Sequence, residues 1–292
     1  MSKKRFLIAG AGIGGLTLAW WLKKFGFHPE IIEIAPQLRK GGYMIDFWGL
    51  GYDVAEKMDL IRDLSEAHYN IPKLFYVDDN DEKQGYLNLK KLRKRLDYRH
   101  FNLLRGELEE ILYDHVKNDV KIRYNLSIDN LSQSQGEVEV QLSNGSVETF
   151  DHVIGADGQH SNTRSLVIGP EDQFDRFLGY YVASYTMDNF LDKDRIFYVH
   201  SVPNKQVGIY SIRGGELATL FIWKSDRLEY PRKDDERKKD ILKKAYQDMG
   251  WHTQKLLDEV DNSSDFYFDS VSQIELNRWY EGRVSLVGDA AQ

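Results

Sequence analysis

Gly10, Gly12, Gly14 and Gly15, with Glu33 eighteen positions beyond the last of them, are the residues whose types and spacing point most directly to chemistry. In Gly10-x-Gly12-x-x-Gly15 the first glycine permits a tight turn, the second lets the backbone come up against a pyrophosphate, and the third lets a helix pack closely on a strand. The helix that follows turns its N–H groups toward the anion. Glu33 falls where a carboxylate accepts hydrogen bonds from adenosine ribose hydroxyls and disfavours a 2′-phosphate, so the site prefers FAD or NAD to NADP. The plainer alternative is a βαβ unit whose glycines only make a turn. Two further glycine–acid pairs follow: Asp157-Gly158 in "DHVIGADGQHSNTR" and Gly288-Asp289 in "GRVSLVGDAA". Each places a carboxylate just past an apolar strand, at the rim where parallel sheets bind ligands.

The elements that must position these residues are legible around them. "RFLIAG" reads as a strand, "LTLAWWLKKFGF" as a helix ended by Gly26, and "PEIIEIA" as a second strand finishing near Glu33. The basic head "MSKKR" before seventeen uncharged residues also resembles an export signal. Against that reading, glycines break the run, and Lys23-Lys24 follow it where a cleavage site would stand. "RKGGYMIDFWGLGYDVAEKMDL" reads as a glycine-rich loop running into a helix, with Arg39 just past the second strand. "LLRGELEEILYDHV" is an amphipathic helix with Arg105 at its N-terminal edge, where an arginine can be a surface charge or reach a phosphate or flavin edge. "EVEVQLSNGSVETF" is a hairpin about Asn144-Gly145.

The chain has 292 residues, enough for two domains, no cysteine, and a net charge of −7. Disulfide scaffolds, thiolate metal sites and cysteine nucleophiles are thereby removed from this stretch, and nucleic acid is disfavoured as a general partner. The eight histidines show no metal-ligand spacing, so no metal is expected. "KKLRKRLDYRH", residues 90–100, is the basic exception, either a solvated face or a help in attracting an anionic cofactor or substrate. No span is long and apolar enough for a transmembrane helix. A cytoplasmic monomer is expected.

A GxGxxG with a distant Glu, an Asp-Gly motif and a Gly-Asp motif, in this order, resemble the single-component FAD-dependent aromatic hydroxylases (class A flavoprotein monooxygenases). Within them, the segments around "WWLKKFGFHPEIIEIAPQLRKGGYMIDFWG" and "MGWHTQKLLDEVDNSSDFYFDSVSQIELNRWYEGRVSLVGDAA" are similar to the flavin-dependent tetracycline destructases. The resemblance implies an α/β fold: a Rossmann-like FAD-binding domain of the GR2 type, over 1–72, 100–172 and 276–292. An inserted substrate domain of mixed β-sheet and helices would span 73–99 and 173–275. It also implies that Gly10, Gly12, Gly14 and Gly15 approach the FAD pyrophosphate, Glu33 holds the adenosine ribose, and Arg39 and Arg105 sit beside the cofactor. Asp157, with Gly158, would brace the motif that touches cofactor and nicotinamide donor; Asp289, with Gly288, would lie near the ribityl-pyrophosphate. Relatives continue past the Gly-Asp motif with a loop under the flavin and further helices, whereas this chain stops at Gln292: either this sequence ends early or the chain is truncated, and a protein of these 292 residues alone would hold FAD less firmly.

The activity so implied is NAD(P)H- and O₂-dependent hydroxylation of tetracycline-type antibiotics through a flavin C4a-hydroperoxide, the donor binding transiently without a second Rossmann domain. The protein then supplies position and a dry site rather than a catalytic triad, and no catalytic residue is expected. A hydroxylase of another phenolic or enolic molecule, or a reductase on the same fold, stays open. From alternation along "YVASYTMD", "KQVGIYSIRGG" and "ELATLFIWKS", Ser184, Gln206, Tyr210, Arg213, Thr219 and Phe221 are candidates to line the substrate cavity. Arg213 is the sharpest of these, since a guanidinium can steady an enolate or phenolate. Ordinary core-facing or outward-facing sheet positions are the alternative for each. Trp20, Trp21 and Trp48 read mainly as packing, with an approach to the flavin ring open for Trp48.

Overall fold

The computed structural model describes residues 4–38 and 42–292. The chain runs β1 (Arg5–Ala9), α1 (Ile13–Lys24), β2 (His28–Glu33), β3 (Met44–Trp48), α2 (Leu50–Lys57), α3 (Ile61–Ala67), β4 (Lys73–Val77), β5 (Lys83–Asn88), α4 (Leu89–Arg95), β6 (His100–Leu104) and α5 (Arg105–Val116). It continues with β7 (Lys121–Tyr124), β8 (Ile128–Gln133), β9 (Val138–Leu142), β10 (Val147–Phe150), β11 (His152–Gly155) and α6 (Asn162–Val167). The last third holds β12 (Asp175–Ser184), β13 (Thr186–Asp188), β14 (Phe197–Val202), β15 (Lys205–Ile212), β16 (Glu216–Lys224) and α7 (Asp235–Tyr246). It closes with α8 (Thr253–Glu259), β17 (Tyr267–Ile274), β18 (Tyr280–Glu281) and β19 (Val284–Leu286). Two compact units result, one from Met1–Arg39, Leu108–Phe177 and Ser272–Gln292, the other from Lys40–Glu107 and Leu178–Val271.

The first unit is built on a sheet of order β18-β19-β11-β1-β2-β7, parallel except for β18. Its central strands are short continuous apolar runs because a parallel sheet is covered on both faces. Leu7, Ala9, Ile32, Val153 and Val284 pack on Ile128, Val138, Val140, Leu142 and Phe150 of the small antiparallel sheet β10-β9-β8. The hairpin between β9 and β10 turns at Asn144-Gly145, with Gly145 at φ +83. α1 ends as its sequence suggests: Gly26 takes φ +83 and its N–H bonds the Lys23 carbonyl.

The second unit centres on a sheet of order β17-β12-β16-β15-β14-β4-β5, with β13 also on β16. Strand pairing puts Tyr181 opposite Trp223 and Ala183 opposite Phe221. This face packs on α7, where Tyr246 meets Phe221 and Trp223 edge-on and its hydroxyl donates to the carbonyls of Gln206 and Ile222, both at 2.8 Å. On the opposite face Tyr210 and Ala218 join Tyr69, Ile71, Leu89, Leu104 and Ile212 in one cluster.

"GGYMIDFWGLG" differs from its sequence reading. Met44–Trp48 is not loop but strand β3, paired antiparallel with β6 from Met44↔Leu104 to Trp48↔His100. Polar and apolar residues mix in the run, and only the partner strand makes it extended. That pairing, and the Met44 N–H bonded to the Tyr210 hydroxyl, place residues 40–72 and 100–107 in the second unit, although the sequence groups them with the dinucleotide-binding part. Trp48 is 55% exposed, so it is not a packing residue among the described residues.

Candidate functional site

In the first unit β1, β2, β11 and β19 all end at one edge, in register: Ala9 lies opposite Ile32 on one side and Gly155 on the other, and Gly155 opposite Leu286. From β1 the chain passes to β2 on one side and returns as β11 on the other, which makes this edge a topological switch point, the place where open α/β sheets bind ligands. Gly10, Glu33, Asp157 and Gly288 leave from it.

The glycines there have separate tasks. Gly10 has φ +110, its N–H bonds the Ile32 carbonyl at 2.8 Å, and a Cβ on it would overlap the carbonyl of Ala156. A Cβ on Gly15 would overlap the Gly10 carbonyl, so α1 can sit this close to β1 only without it. Gly14 is the opposite case, with no atom within 4 Å of its Cβ position. Gly12 caps α1 in extended backbone, no side chain caps the helix start, and the first turn has no acid. Among the described residues, the positive end of this twelve-residue helix thus presents amide donors with no side-chain cap and no acid in its first turn.

Glu33 closes the other side of this loop. Its Oε2 accepts the Ala11 N–H at 2.8 Å and its Oε1 the Ala35 N–H at 2.9 Å. Each carboxylate oxygen has two acceptor sites, so one on each remains for a ribose hydroxyl. Open space, uncapped amides and residual acceptor capacity fit the pyrophosphate and ribose of an adenine dinucleotide.

The Asp157 carboxylate is turned inward. It accepts from the Ser161 hydroxyl and from both N–H and Oγ1–H of Thr163, each of the latter at 2.8 Å. Ser161 in turn caps α6 by accepting the Arg164 N–H at 2.9 Å. Gly158 has φ +80 with open space at its Cβ position. Arg164 is wholly buried and spans two motifs, donating to the Gln159 carbonyl at 2.7 Å and to the Ala290 carbonyl at 3.2 Å. The sequence shows Arg164 as part of the motif but gives no sign of this reach, which crosses 126 positions. Gly288, at φ +61, and Asp289 are exposed in a short 3₁₀ turn, fastened by the Val287 N–H on the Gly155 carbonyl at 2.9 Å.

Arg39 lies outside the described residues. Arg105 belongs to the second unit, where it opens α5 with its N–H on the Tyr43 carbonyl at 3.1 Å. Of the six residues nominated for substrate, Ser184, Tyr210, Thr219 and Phe221 are wholly buried in the second unit's sheet. Ser184 Oγ donates to the Thr219 carbonyl, Thr219 Oγ1 to the Tyr185 carbonyl, and Phe221 stacks on Tyr185. Burial raises the Tyr210 phenol above its ordinary range. Alternation sorted the strands into two faces, but both are covered at these positions. Gln206 is half-buried on the face away from α7, in a row with Val182 and Ile222.

Arg213 is exposed and already engaged. Its guanidinium bonds Glu107 Oε1 at 3.0 Å and the carbonyls of Glu66 and His68 at 3.0 and 3.3 Å, and lies 4.2 Å above the Tyr69 ring. Arg195 holds the Asn70 carbonyl and buried Arg93 the Ile71 carbonyl, so three arginines clasp one six-residue connection. Burial, then Arg93, pushes the His68 imidazole down to about 4, and burial, then Glu107, pushes the Tyr69 phenol up to about 12. No group of residues that could hold a metal occurs among the described residues.

A parallel sheet carrying a glycine cradle, an acid at its edge and two further glycine–acid turns at its switch point is the arrangement of a dinucleotide-binding protein of the α/β class. Residues 54–292 match the family described as "FAD binding domain". A "Flavin-dependent monooxygenase" of Legionella longbeachae serogroup 1 (strain NSW150) is 34% identical over 296 residues, covering 99% of this chain and 75% of the relative. An uncharacterized protein of Mycobacterium tuberculosis (strain ATCC 25618 / H37Rv) is 35% identical over 291 residues, 98% of this chain and 78% of the relative. The crystal structure of the tetracycline destructase Tet(51) superposes with TM-score 0.88 at 31% identity, over 99% of this chain and 75% of that one. The chain belongs to the FAD-dependent monooxygenases.

Proposed function

We propose that the protein hydroxylates and inactivates tetracycline-type antibiotics, with NAD(P)H as a transient reductant and O₂ as oxygen donor. The observation that carries this reading is the likeness of nearly the whole chain, in both units, to a tetracycline destructase at TM-score 0.88 and 31% identity. FAD, when bound, would supply the redox and oxygen-transfer chemistry. The chain's residues bind and orient. The amides at the start of α1 hold the pyrophosphate, Glu33 accepts from the ribose, and Arg164 keeps the Asp157-Gly158 and Gly288-Asp289 turns at a set spacing.

In the second unit, the half-buried row Val182, Ile222 and Gln206, with Leu220 beside it, offers an apolar surface with one amide. Such a surface suits a flat polycyclic molecule with few polar edges. The second unit, Lys40–Glu107 and Leu178–Val271, is the substrate domain in this reading, in place of the 73–99 and 173–275 read from the sequence. A single dinucleotide cradle supports a nicotinamide donor that visits and leaves. A hydroxylase of another phenol or enol on the same fold is the second reading.

The test is a visible spectrum of the purified protein, then NADPH oxidation with and without tetracycline, with mass analysis of the product. A yellow protein, tetracycline-stimulated oxidation and a product heavier by one oxygen are expected. A flavoprotein that leaves tetracycline unchanged while hydroxylating another phenol establishes the second reading, and substrate loss without oxygen gain indicates a reductase.

A further inference from the structure

α4 has a divided surface. Leu89 and Arg93 are buried and Leu92 is half-buried against the second unit's core, while Lys90, Lys91, Lys94 and Arg95 are exposed. Among the described residues, none of these four cations has a carboxylate within ion-pair distance, whereas the next arginine, Arg99, is held by Asp53 and Glu56. Apolar side chains flank them. Leu87, just before the helix, is 46% exposed, and Tyr98, just after it, is 68% exposed with left-handed backbone at φ +61. Both side chains thus present apolar surface to solvent beside the four cations.

We propose that this surface, Leu87 through Tyr98, docks the protein on an anionic phospholipid bilayer. Unpaired lysines and arginine complement lipid phosphates, and exposed leucine and tyrosine suit the boundary between headgroups and acyl chains. A folded protein partner is the weaker fit. A stable protein interface buries roughly 800 Å² per partner, and a two-turn helix offers much less. A fluid surface needs no shape complement. The chain's net charge of −7 means that the remaining surface is strongly acidic, so an anionic bilayer attracts this face and repels the rest, which sets a single orientation. The inference is independent of the substrate reading.

The experiment is co-sedimentation of the purified protein with vesicles of phosphatidylcholine alone and of phosphatidylcholine with about one third phosphatidylglycerol. Binding is expected only to the second and should weaken with salt. Replacing Lys90, Lys91 and Lys94 together by Gln should lower affinity about a hundred-fold, since each charge near such a surface contributes about five-fold. Leu87→Thr with Tyr98→Asn should lower affinity several-fold and leave the salt dependence in place; Asn tolerates the left-handed backbone at that position. Circular dichroism of each variant confirms that it is folded. Equal binding to both vesicle types, no binding to phosphatidylglycerol, unchanged binding by the folded triple variant, or tighter binding to duplex DNA than to vesicles at the same salt would each overturn the proposal.

Discussion

Two neighbouring glycines at the start of α1 should respond in opposite directions to the same substitution. At Gly14 a methyl group meets nothing within 4 Å, and the backbone is helical. Gly14→Ala should therefore stabilise the protein by about 0.5–1 kcal/mol, the usual gain when a permissive residue leaves a helix. At Gly15 the same methyl would overlap the Gly10 carbonyl oxygen, with Gly10 C at 3.1 Å and Ile8 Cγ2 at 3.3 Å close behind. The blocking atoms are mostly backbone and cannot rotate away, so α1 must lift from β1. Overpacking of this kind costs about 1–3 kcal/mol, from which the helix-propensity gain of about 1 kcal/mol is recovered. A gap of roughly 1–3 kcal/mol between the two variants results. Urea unfolding with equal m-values measures the gap, and FAD titration should show weaker binding for Gly15→Ala because the lifted helix carries with it the amides proposed to hold the pyrophosphate. Equal stabilities for the two variants would refute the assignment of Gly15 to close helix–strand contact.

Glu33→Ala removes the acceptors of the Ala11 and Ala35 N–H groups and, on the proposed cofactor placement, the acceptor for the ribose, so FAD affinity should fall by about 1.5–3 kcal/mol. Gel filtration followed by the flavin absorbance checks this, and full flavin retention would remove Glu33 from the cofactor site. Asp157→Asn places an amide donor against the Ser161 hydroxyl or the Thr163 donors and should cost about 1–3 kcal/mol in urea unfolding; a neutral effect would show that the turn does not depend on the carboxylate. His68 is held neutral in the folded state, its pKa lowered to about 4 from an ordinary 6.5. The unfolded chain therefore takes up the proton first, and stability should fall as pH drops from about 6.5 to about 4, with no further change from this group below that. His68→Gln should flatten that part of the stability profile, and an unchanged slope would place its origin elsewhere.

The sequence by itself determined the cradle. Gly10, Gly12, Gly15 and Glu33 lie within one βαβ unit whose strand, turn and helix are each specified by adjacent residues, and parallel strands so joined must bring a glycine turn and an acid to one edge. The Asp157-Gly158 and Gly288-Asp289 turns were legible for the same local reason, each following an apolar strand. Only the tertiary structure decided that Arg164 ties those two turns together, because a side chain's reach to Ala290 leaves no periodic trace in either segment. It also decided that Met44–Trp48 is a strand, since that run takes its conformation from β6 rather than from its own composition. Alternation along β12, β15 and β16 separates two sets of residues without saying what covers each set. Ser184, Thr219 and Phe221 therefore look available in the sequence and are enclosed in the fold, where Tyr246 of α7, Tyr185 and the backbone of neighbouring strands complete their packing and hydrogen bonds.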